Sequence, residues 1–385
     1  MTLAAAPVSP EEPVNRTILA VSEDRIQGFS RYPFARIAEQ SGVPVETVLE
    51  RIRAMLEAGT IRRVRQTLLS TSLARGALVA WSVPPARLDA AFAEMFENDP
   101  FSGHVVIRST DGATPGSQYR LWTTLKVPQG FSIDRHAQYL AERVGATAFR
   151  LMPAKKLFAL GVGHTRRRGT EPGSRDTEPA TIINTELVEL DQLEWRVLTA
   201  LKREFEPREL SLDPWQGRAA EAGVSIEAFI EVGDRLQAKG VIGRFSTFLE
   251  HVKELSTGEH VTRYNALFHW EVPPGMELAA GREVGRHHII THAYWREGGP
   301  EFANVNVMAV AHGMEKELVL AHKAAIDVHL AEAGIVPGYT NVFWGGRSEI
   351  KPSEVSPIAY REWCVSRGID PHSMRDATPT EGAPS

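Results

Sequence analysis

The sequence predicts an α+β protein built as a tandem duplication, each half a winged helix-turn-helix followed by a ferredoxin-like βαββαβ sandwich. Three observations predict it. Residues 42–68 align without gaps to residues 223–249, with identities at Gly42/Gly223, Val43/Val224, Glu46/Glu227, Glu50/Glu231, Gly59/Gly240, Ile61/Ile242, Arg63/Arg244 and Leu68/Leu249. An apolar strand ending in "AWSVPP" (80–85) returns as "HWEVPP" (269–274). The same succession of strand and helix patterns follows each of them.

Each element has its own signal. Val45, Val48, Leu49, Ile52, Met55 and Leu56 recur at helical spacing, and Gly59 and Gly240 follow as helix stops. A stretch of two-residue period comes next in each copy and reads as the wing. In the second copy, strands are expected at about 263–272, 286–296, 302–311 and 338–345, and helices at about 275–284 and 314–333. "LWTTLKVPQG" (121–130) in the first copy takes the place of "NVMAVAHG" (306–313) in the second. The division that follows is a disordered tail at 1–13, winged helix 1 at 14–70 and ferredoxin-like domain 1 at 71–163. A charged, Pro- and Gly-rich linker at 164–186 leads to winged helix 2 at 187–250 and ferredoxin-like domain 2 at 251–347. A C-terminal helical extension at 348–369 and a disordered tail at 370–385 complete it.

Composition narrows the function. A formal net charge of −5 gives no global attraction to nucleic acid or anionic lipid. The single cysteine, Cys364, excludes an internal disulfide and points to a reducing compartment. The N-terminal stretch lacks the basic and apolar segments of a signal peptide, and no apolar run reaches the length of a membrane span. A cytoplasmic location is expected. The recognition helices are net acidic: Glu46, Glu50 and Glu57 against Arg51 and Arg53, and Glu227, Glu231 and Asp234 against Arg235 and Lys239. Like charge opposes approach to phosphates, so specific DNA binding is not expected, although "RRVR" (62–65) forms a small basic patch.

The chemistry concentrates in histidines. Of 13 in the chain, eight fall between residues 251 and 322, most densely in "GRHHIITHAYW" (285–295). If this is one strand, Arg286, His288, His292 and Tyr294 share a face, and His312 at the end of the next strand joins them. Such a face suits an anionic ligand, with arginine gripping carboxylates and histidine moving protons near neutral pH. Copy one offers Arg108, Tyr119, Arg120 and Trp122, a set able to line a pocket for a flat anion. No cysteine joins the histidines and the "HH" pair points to opposite faces, so no metal site is expected.

The layout of a winged helix plus a ferredoxin-like sandwich is that of feast/famine (Lrp/AsnC-type) regulators. The motifs resemble more closely the siroheme decarboxylases, which share it. "YRLWTTL" (119–125) is similar to that family's aromatic strand, and "THAYWREGGPEFANVNVMAVAHG" (291–313) to its paired strands, keeping His292, Tyr294, Arg296, Asn304, Met308, His312 and Gly313. "GRF" (243–245) and "WEVPP" also match. Departures are "RSTDGA" for a His-containing segment, Arg120 for an asparagine, and "EFA" for Trp-Pro-Tyr. The resemblance implies removal of the acetate carboxylates at positions 12 and 18 of siroheme, giving 12,18-didecarboxysiroheme on the way to haem or d1-type haem. It implies no cofactor beyond the iron tetrapyrrole substrate. Arg286, His288, His292 and His312 are the implied catalytic groups. Tyr294, Arg296, Arg108, Tyr119, Arg120, Trp122 and Asn304 are the implied substrate contacts. The two halves are expected to pair as an intramolecular pseudo-dimer, with homodimerisation open. A DNA-binding regulator and a non-catalytic tetrapyrrole-binding homologue remain the alternatives.

Overall fold

The computed structural model describes residues 6–69, 72–160, 169–183, 186–250 and 262–376. The first winged helix comprises α1 (Pro13–Ser22), the short strand β1 (Ile26–Gln27), α2 (Pro33–Ser41), α3 (Val45–Glu57) and β2 (Ile61–Leu68). The first sandwich follows as β3 (Ala74–Ser82), α4 (Leu88–Ala93), β4 (Ser102–Ser109), β5 (Leu121–Pro128), α5 (Ile133–Val144) and β6 (Ala148–Pro153), with a further strand β7 (Lys156–Leu160). The second winged helix comprises α6 (Gln192–Lys202), α7 (Gln216–Ala222), α8 (Ile226–Ala238) and β8 (Ile242–Leu249). The second sandwich is β9 (Tyr264–Glu271), α9 (Glu277–Gly285), β10 (Ile290–Trp295), β11 (Val307–Gly313), α10 (Lys316–Glu332) and β12 (Tyr339–Ile350), and α11 (Pro357–Ser366) follows it. Gly59 and Gly240 take the left-handed φ (+78° and +70°) just past α3 and α8, where a side chain would be strained.

Nine antiparallel strands form one sheet, in the order β6-β3-β5-β4-β12-β9-β11-β10-β7. Each half keeps the ferredoxin-like order, fourth strand, first, third, second. The halves join because each fourth strand outruns its own sheet. β12 pairs with β9 through Tyr339–Gly345 and then with β4 through Trp344–Ile350. In the other half that role falls to two strands: β6 pairs with β3, and β7, only Ala154 and Lys155 later, pairs with β10 of the other half. The sheet therefore curls back on itself, and its end strands are consecutive in the chain.

The wings interlock as well. β8 lies between β1 and β2 of the first half, so a second, three-stranded sheet draws on both copies. The two winged helices share one core, in which Phe34, Ile52 and Met55 pack with Trp215, Phe229 and Phe245. The repeated tryptophans at the strand ends, Trp81 and Trp270, are fully buried. Their indole N–H groups donate to Thr123 Oγ1 (3.0 Å) and Asp327 Oδ1 (2.6 Å).

Four segments depart from the sequence expectation. The stretch expected as a linker is, over residues 169–183, docked on the second sandwich: Arg175 bridges to His287 and Ile183 to Leu157. Of the segments expected as tails, residues 7–9 accept hydrogen bonds from Asn15 and Thr60, and Met374 is buried while Arg375 bridges to Phe131. Backbone polar groups and a few apolar side chains hold these stretches without any periodic pattern. The extension from 348 begins inside β12, and α11 returns to the first sandwich, where Tyr360, Trp363 and Cys364 enter the core beside Phe101 and Phe131. Burial pushes the Cys364 thiol up to about 11, so it stays protonated.

Two expectations follow. Phe158 of β7 sits against Gly281 of α9, where an added Cβ would lie 2.1 Å from the ring. Gly281→Leu should therefore dislodge β7 and lower stability by roughly 1–3 kcal/mol in denaturant unfolding. His269 on β9 is 1% exposed, and burial, aided by the charge of Arg108, lowers its pKa to about 3. The unfolded imidazole takes up a proton below about 6.5. The associated stability is therefore intact above that pH and is lost as pH falls toward 3, at ~1.4 kcal/mol per pH unit. Urea unfolding at pH 7.5 and 5.0 should show a shallower acid loss in His269→Phe by that amount.

Candidate functional site

A half-open cavity of about 350 Å³ lies inside the curl of the long sheet, closed on one side by the wings β2 and β8. Leu78, Val106, Trp122, Leu267, Met308 and Val310 give it apolar walls, and six arginines line it: Arg62, Arg63, Arg65, Arg108, Arg244 and Arg296. His104, His292, His312, Tyr294, Thr291 and Asn265 add polar groups, and among the described residues no Asp or Glu lines it. The alternation of β2 brings Arg63 and Arg65 inward, and the irregular register beside Arg63 lets Arg62 reach the same space.

Buried charge without counter-charge marks a site prepared for anions. The Nε atoms of Arg62, Arg65, Arg108 and Arg296 are buried and have no hydrogen-bond partner among the described residues. Burial lowers Arg65 and Arg108 to about 10, still cationic at neutral pH. Arg108 Nη1 donates to Asn265 Oδ1 (3.2 Å) and to the Phe343 carbonyl (3.3 Å), which fixes it across the joint between the halves. Arg296 donates to the Met152 carbonyl and lies 4.3 Å from the Tyr294 ring centroid, and burial raises the Tyr294 phenol. Arg63 is held by Glu204 (2.9 Å), and Arg244 donates from Nε to the Glu23 carbonyl (3.2 Å).

The histidines come from neighbouring strands. His292 and Tyr294 alternate on β10, and their rings stack 6.2 Å apart at 10°. Thr291 also faces inward because the register shifts between Ile290 and His292. Its hydroxyl donates to the Val310 carbonyl (3.1 Å) and lies 3.1 Å from His292 Nδ1 and 3.5 Å from His312 Nδ1. One threonine thus joins the two imidazoles. His104 Nε2 lies 2.8 Å from Ser348 Oγ across the β4–β12 joint.

Of the residues singled out in the sequence, His292, His312, Tyr294, Arg296, Arg108 and Trp122 meet in this cavity. The rest do not. The strand begins at Ile290 rather than 286, because α9 runs to Gly285, Arg286 caps it, and the chain turns before β10. Arg286 and His288 consequently face a separate surface cleft of about 820 Å³. There Arg286 pairs with Glu283 (2.7 Å), and the His288 ring nitrogens lie 2.7 Å from Ser174 Oγ and 3.0 Å from Asp176 Oδ1. Tyr119 packs on Phe302 (5.0 Å) in the core inside the curl of the long sheet. Arg120 is exposed, its Nε donating to the Arg108 carbonyl. Asn304 is exposed in a tight turn with φ +54°. Of the histidines counted in the sequence, His251 and His260 lie outside the described residues.

Sequence reasoning missed Arg62, Arg65, Arg63, Arg244, His104 and Asn265 as site residues. Two signals were present: the "RRVR" run and the Arg63/Arg244 identity between the copies. The run weighed as a DNA contact faces the cavity instead. Within the recognition helix α3, Arg53 donates to the carbonyls of Pro207 and Leu210, and Arg51 pairs with Glu12 (3.4 Å). No described helix is long and apolar enough to cross a membrane.

Comparison with known proteins agrees with this architecture. Residues 29–62 match the family described as Siroheme decarboxylase NirDL-like HTH domain, and residues 73–159 the AsnC-like ligand binding domain. The siroheme decarboxylase of Hydrogenobacter thermophilus is 26% identical over 287 residues, 74% of this chain and 79% of that one. The siroheme decarboxylase beta subunit of Oleidesulfovibrio alaskensis is 33% identical over 112 residues, 29% of this chain and 68% of that subunit. The alpha subunit of Nitratidesulfovibrio vulgaris is 30% identical over 131 residues, 34% of this chain and 69% of its own length. The crystal structure of the siroheme decarboxylase NirDL shares the fold, with a TM-score of 0.62 at 20% identity, covering 91% of this chain and 98% of that one. By these relatives, the chain belongs to the siroheme decarboxylase family.

Proposed function

We propose that this chain is itself a siroheme decarboxylase, a carboxy-lyase that removes the acetate carboxylates at positions 12 and 18 of siroheme in haem or d1-type haem formation. The observation that carries this reading is the cavity's six arginines with no lining carboxylate among the described residues. A polycarboxylate macrocycle supplies the missing negative charge, and the apolar walls suit its flat ring. A relative of the same fold has been solved in complex with an iron-uroporphyrin III analogue, itself a polycarboxylate tetrapyrrole.

In each step the bond between the side-chain methylene and its carboxylate breaks and CO₂ leaves. The electron pair passes into the conjugated macrocycle, and a proton then adds to the methylene carbon to give a methyl group. No oxidant or reductant enters the balance. Arg62, Arg65 and Arg108 hold carboxylates that are not removed, which fixes the ring's orientation. His292 and His312, joined through Thr291, deliver the proton, and Tyr294 packs beside them as a neutral phenol. Desolvation by the apolar walls raises the energy of the carboxylate to be lost more than that of neutral CO₂.

Anaerobic incubation with siroheme, followed by mass spectrometry, should show loss of the mass of two CO₂ with no other change. Unchanged siroheme mass, together with a Soret shift on binding, would identify a tetrapyrrole carrier instead. His292→Ala and His312→Ala should each slow turnover ~10²–10⁴-fold while tetrapyrrole binding, read from the Soret titration, stays near wild type. Arg65→Gln should weaken binding ~10-fold or more and flatten its dependence on salt, as expected for loss of a charged hydrogen bond.

A further inference from the structure

We propose that Glu283, His287 and His329 form a binding site for one divalent transition-metal ion of the zinc class, separate from the tetrapyrrole cavity. One ligand atom from each residue lies within 4.8 Å of the other two. Glu283 lies in the last turn of α9, His287 two residues past the helix end where it bridges to Arg175, and His329 projects from the last turn of α10. His287 is 2% exposed and Glu283 7%. None of the three lines the arginine cavity.

The geometry already has the character of a liganding set. His287 Nδ1 lies 2.9 Å from the Glu283 carbonyl, so that nitrogen carries the proton and Nε2 presents its lone pair. A ligating histidine is commonly fixed in this way, its second N–H donated to a carbonyl. Nε2 faces His329 Nδ1 at 2.8 Å, bridged by one proton. A metal would replace that proton, which moves to Nε2 of His329. Tetrahedral bonds of ~2.0–2.1 Å put the two nitrogens about 3.3 Å apart, so the pair opens by only about 0.5 Å.

Glu283 is held for the same role. Arg175 and Arg286 each bind one of its oxygens, and each oxygen keeps a second lone pair. Outer-shell donors of this kind orient a ligating carboxylate. Glu332, 4.0 Å from Arg175 Nη2, offsets part of the arginine charge. His287 also borders the 820 Å³ surface cleft, through which water reaches the fourth coordination position. The ion would pin α9, α10 and the 169–183 segment together, a structural role. Adjacent histidines of a strand would diverge, but the ligands come from the end of α9, the turn after it and α10, with His329 42 positions beyond His287.

The test uses the full chain stripped with EDTA. Zn²⁺ is titrated against a chromophoric chelator, and Co²⁺ is added separately to read visible d–d absorption. Wild type should take up one Zn²⁺ that His329→Ala and Glu283→Gln bind at least tenfold more weakly. Its Co²⁺ complex should show intense tetrahedral-type bands that His329→Ala lacks. Zn²⁺ should raise the melting temperature of wild type and not of His329→Ala, whose half-exposed side chain is replaced without opening the core. Absence of uptake at micromolar Zn²⁺, or equal affinity in wild type and both variants, overturns the proposal and leaves a hydrogen-bonded histidine pair.

Discussion

The joint between the two halves is a backbone constraint, and the site depends on it. Each sandwich has a fourth strand that continues past its own sheet to pair with the second strand of the other. In β12 the crossing falls at Gly345 and Gly346, where the register to β4 shifts. A Cβ at Gly345 would sit 3.2 Å from the Asn265 side chain, so glycine allows that close approach. In the other half the crossing is the two-residue step from β6 to β7. These pairings satisfy the second strand of each sandwich, β4 and β10, which would otherwise be an open edge. They also bend nine strands around an interior that neither half encloses alone. Arg108, gripped by Asn265 and the Phe343 carbonyl, shows the result: a first-half cation fixed by second-half groups.

That interior stores electrostatic tension. Six arginine side chains in one cavity, several with a buried Nε left unpaired, oppose folding by desolvation and mutual repulsion. The fold tolerates them because large apolar cores surround the cavity and because Glu204 pairs with Arg63 and the Glu23 carbonyl accepts from Arg244. The remaining cations are stabilised most by a ligand bearing several carboxylates. Ligand specificity and reduced stability of the empty protein are two readings of the same arrangement.

The winged helices serve this cavity. Their helices are joined in one core, Arg51 and Arg53 of α3 are spent on internal contacts, and their wings form a wall of the site. Duplication then allowed divergence. The arginine shared as Arg63 and Arg244 remains on both wings. Arg62 and Arg65 occur only in the first copy, where the second has Gly243 and Ser246, while His292 and His312 lie only in the second. The arginines that line the cavity come from both halves, and the imidazoles nearest Thr291 come from one.

The sequence by itself determined the duplication, the order of elements in each half and the family motifs. These are local: helical and alternating periodicity, glycines at helix ends and repeated tryptophans are written within short windows. It also singled out His292, Tyr294, Arg296, His312, Arg108 and Trp122, which the structure brings to one cavity, since strand alternation and motif likeness act over a few residues. Only the tertiary structure decided which face meets which. Arg286 and His288 left the expected face because α9 persists to Gly285 and the chain turns before β10, a boundary that periodicity fixes poorly. Asn304 fell in a left-handed turn, and Tyr119 in the core against Phe302. Arg62 and Arg65 entered the cavity because β2 pairs with a wing more than 170 residues away, as in Arg65 with Ser246. No local window contains such a pairing; it follows from closure of the sheets, where burial and backbone hydrogen bonding are satisfied across the whole chain at once.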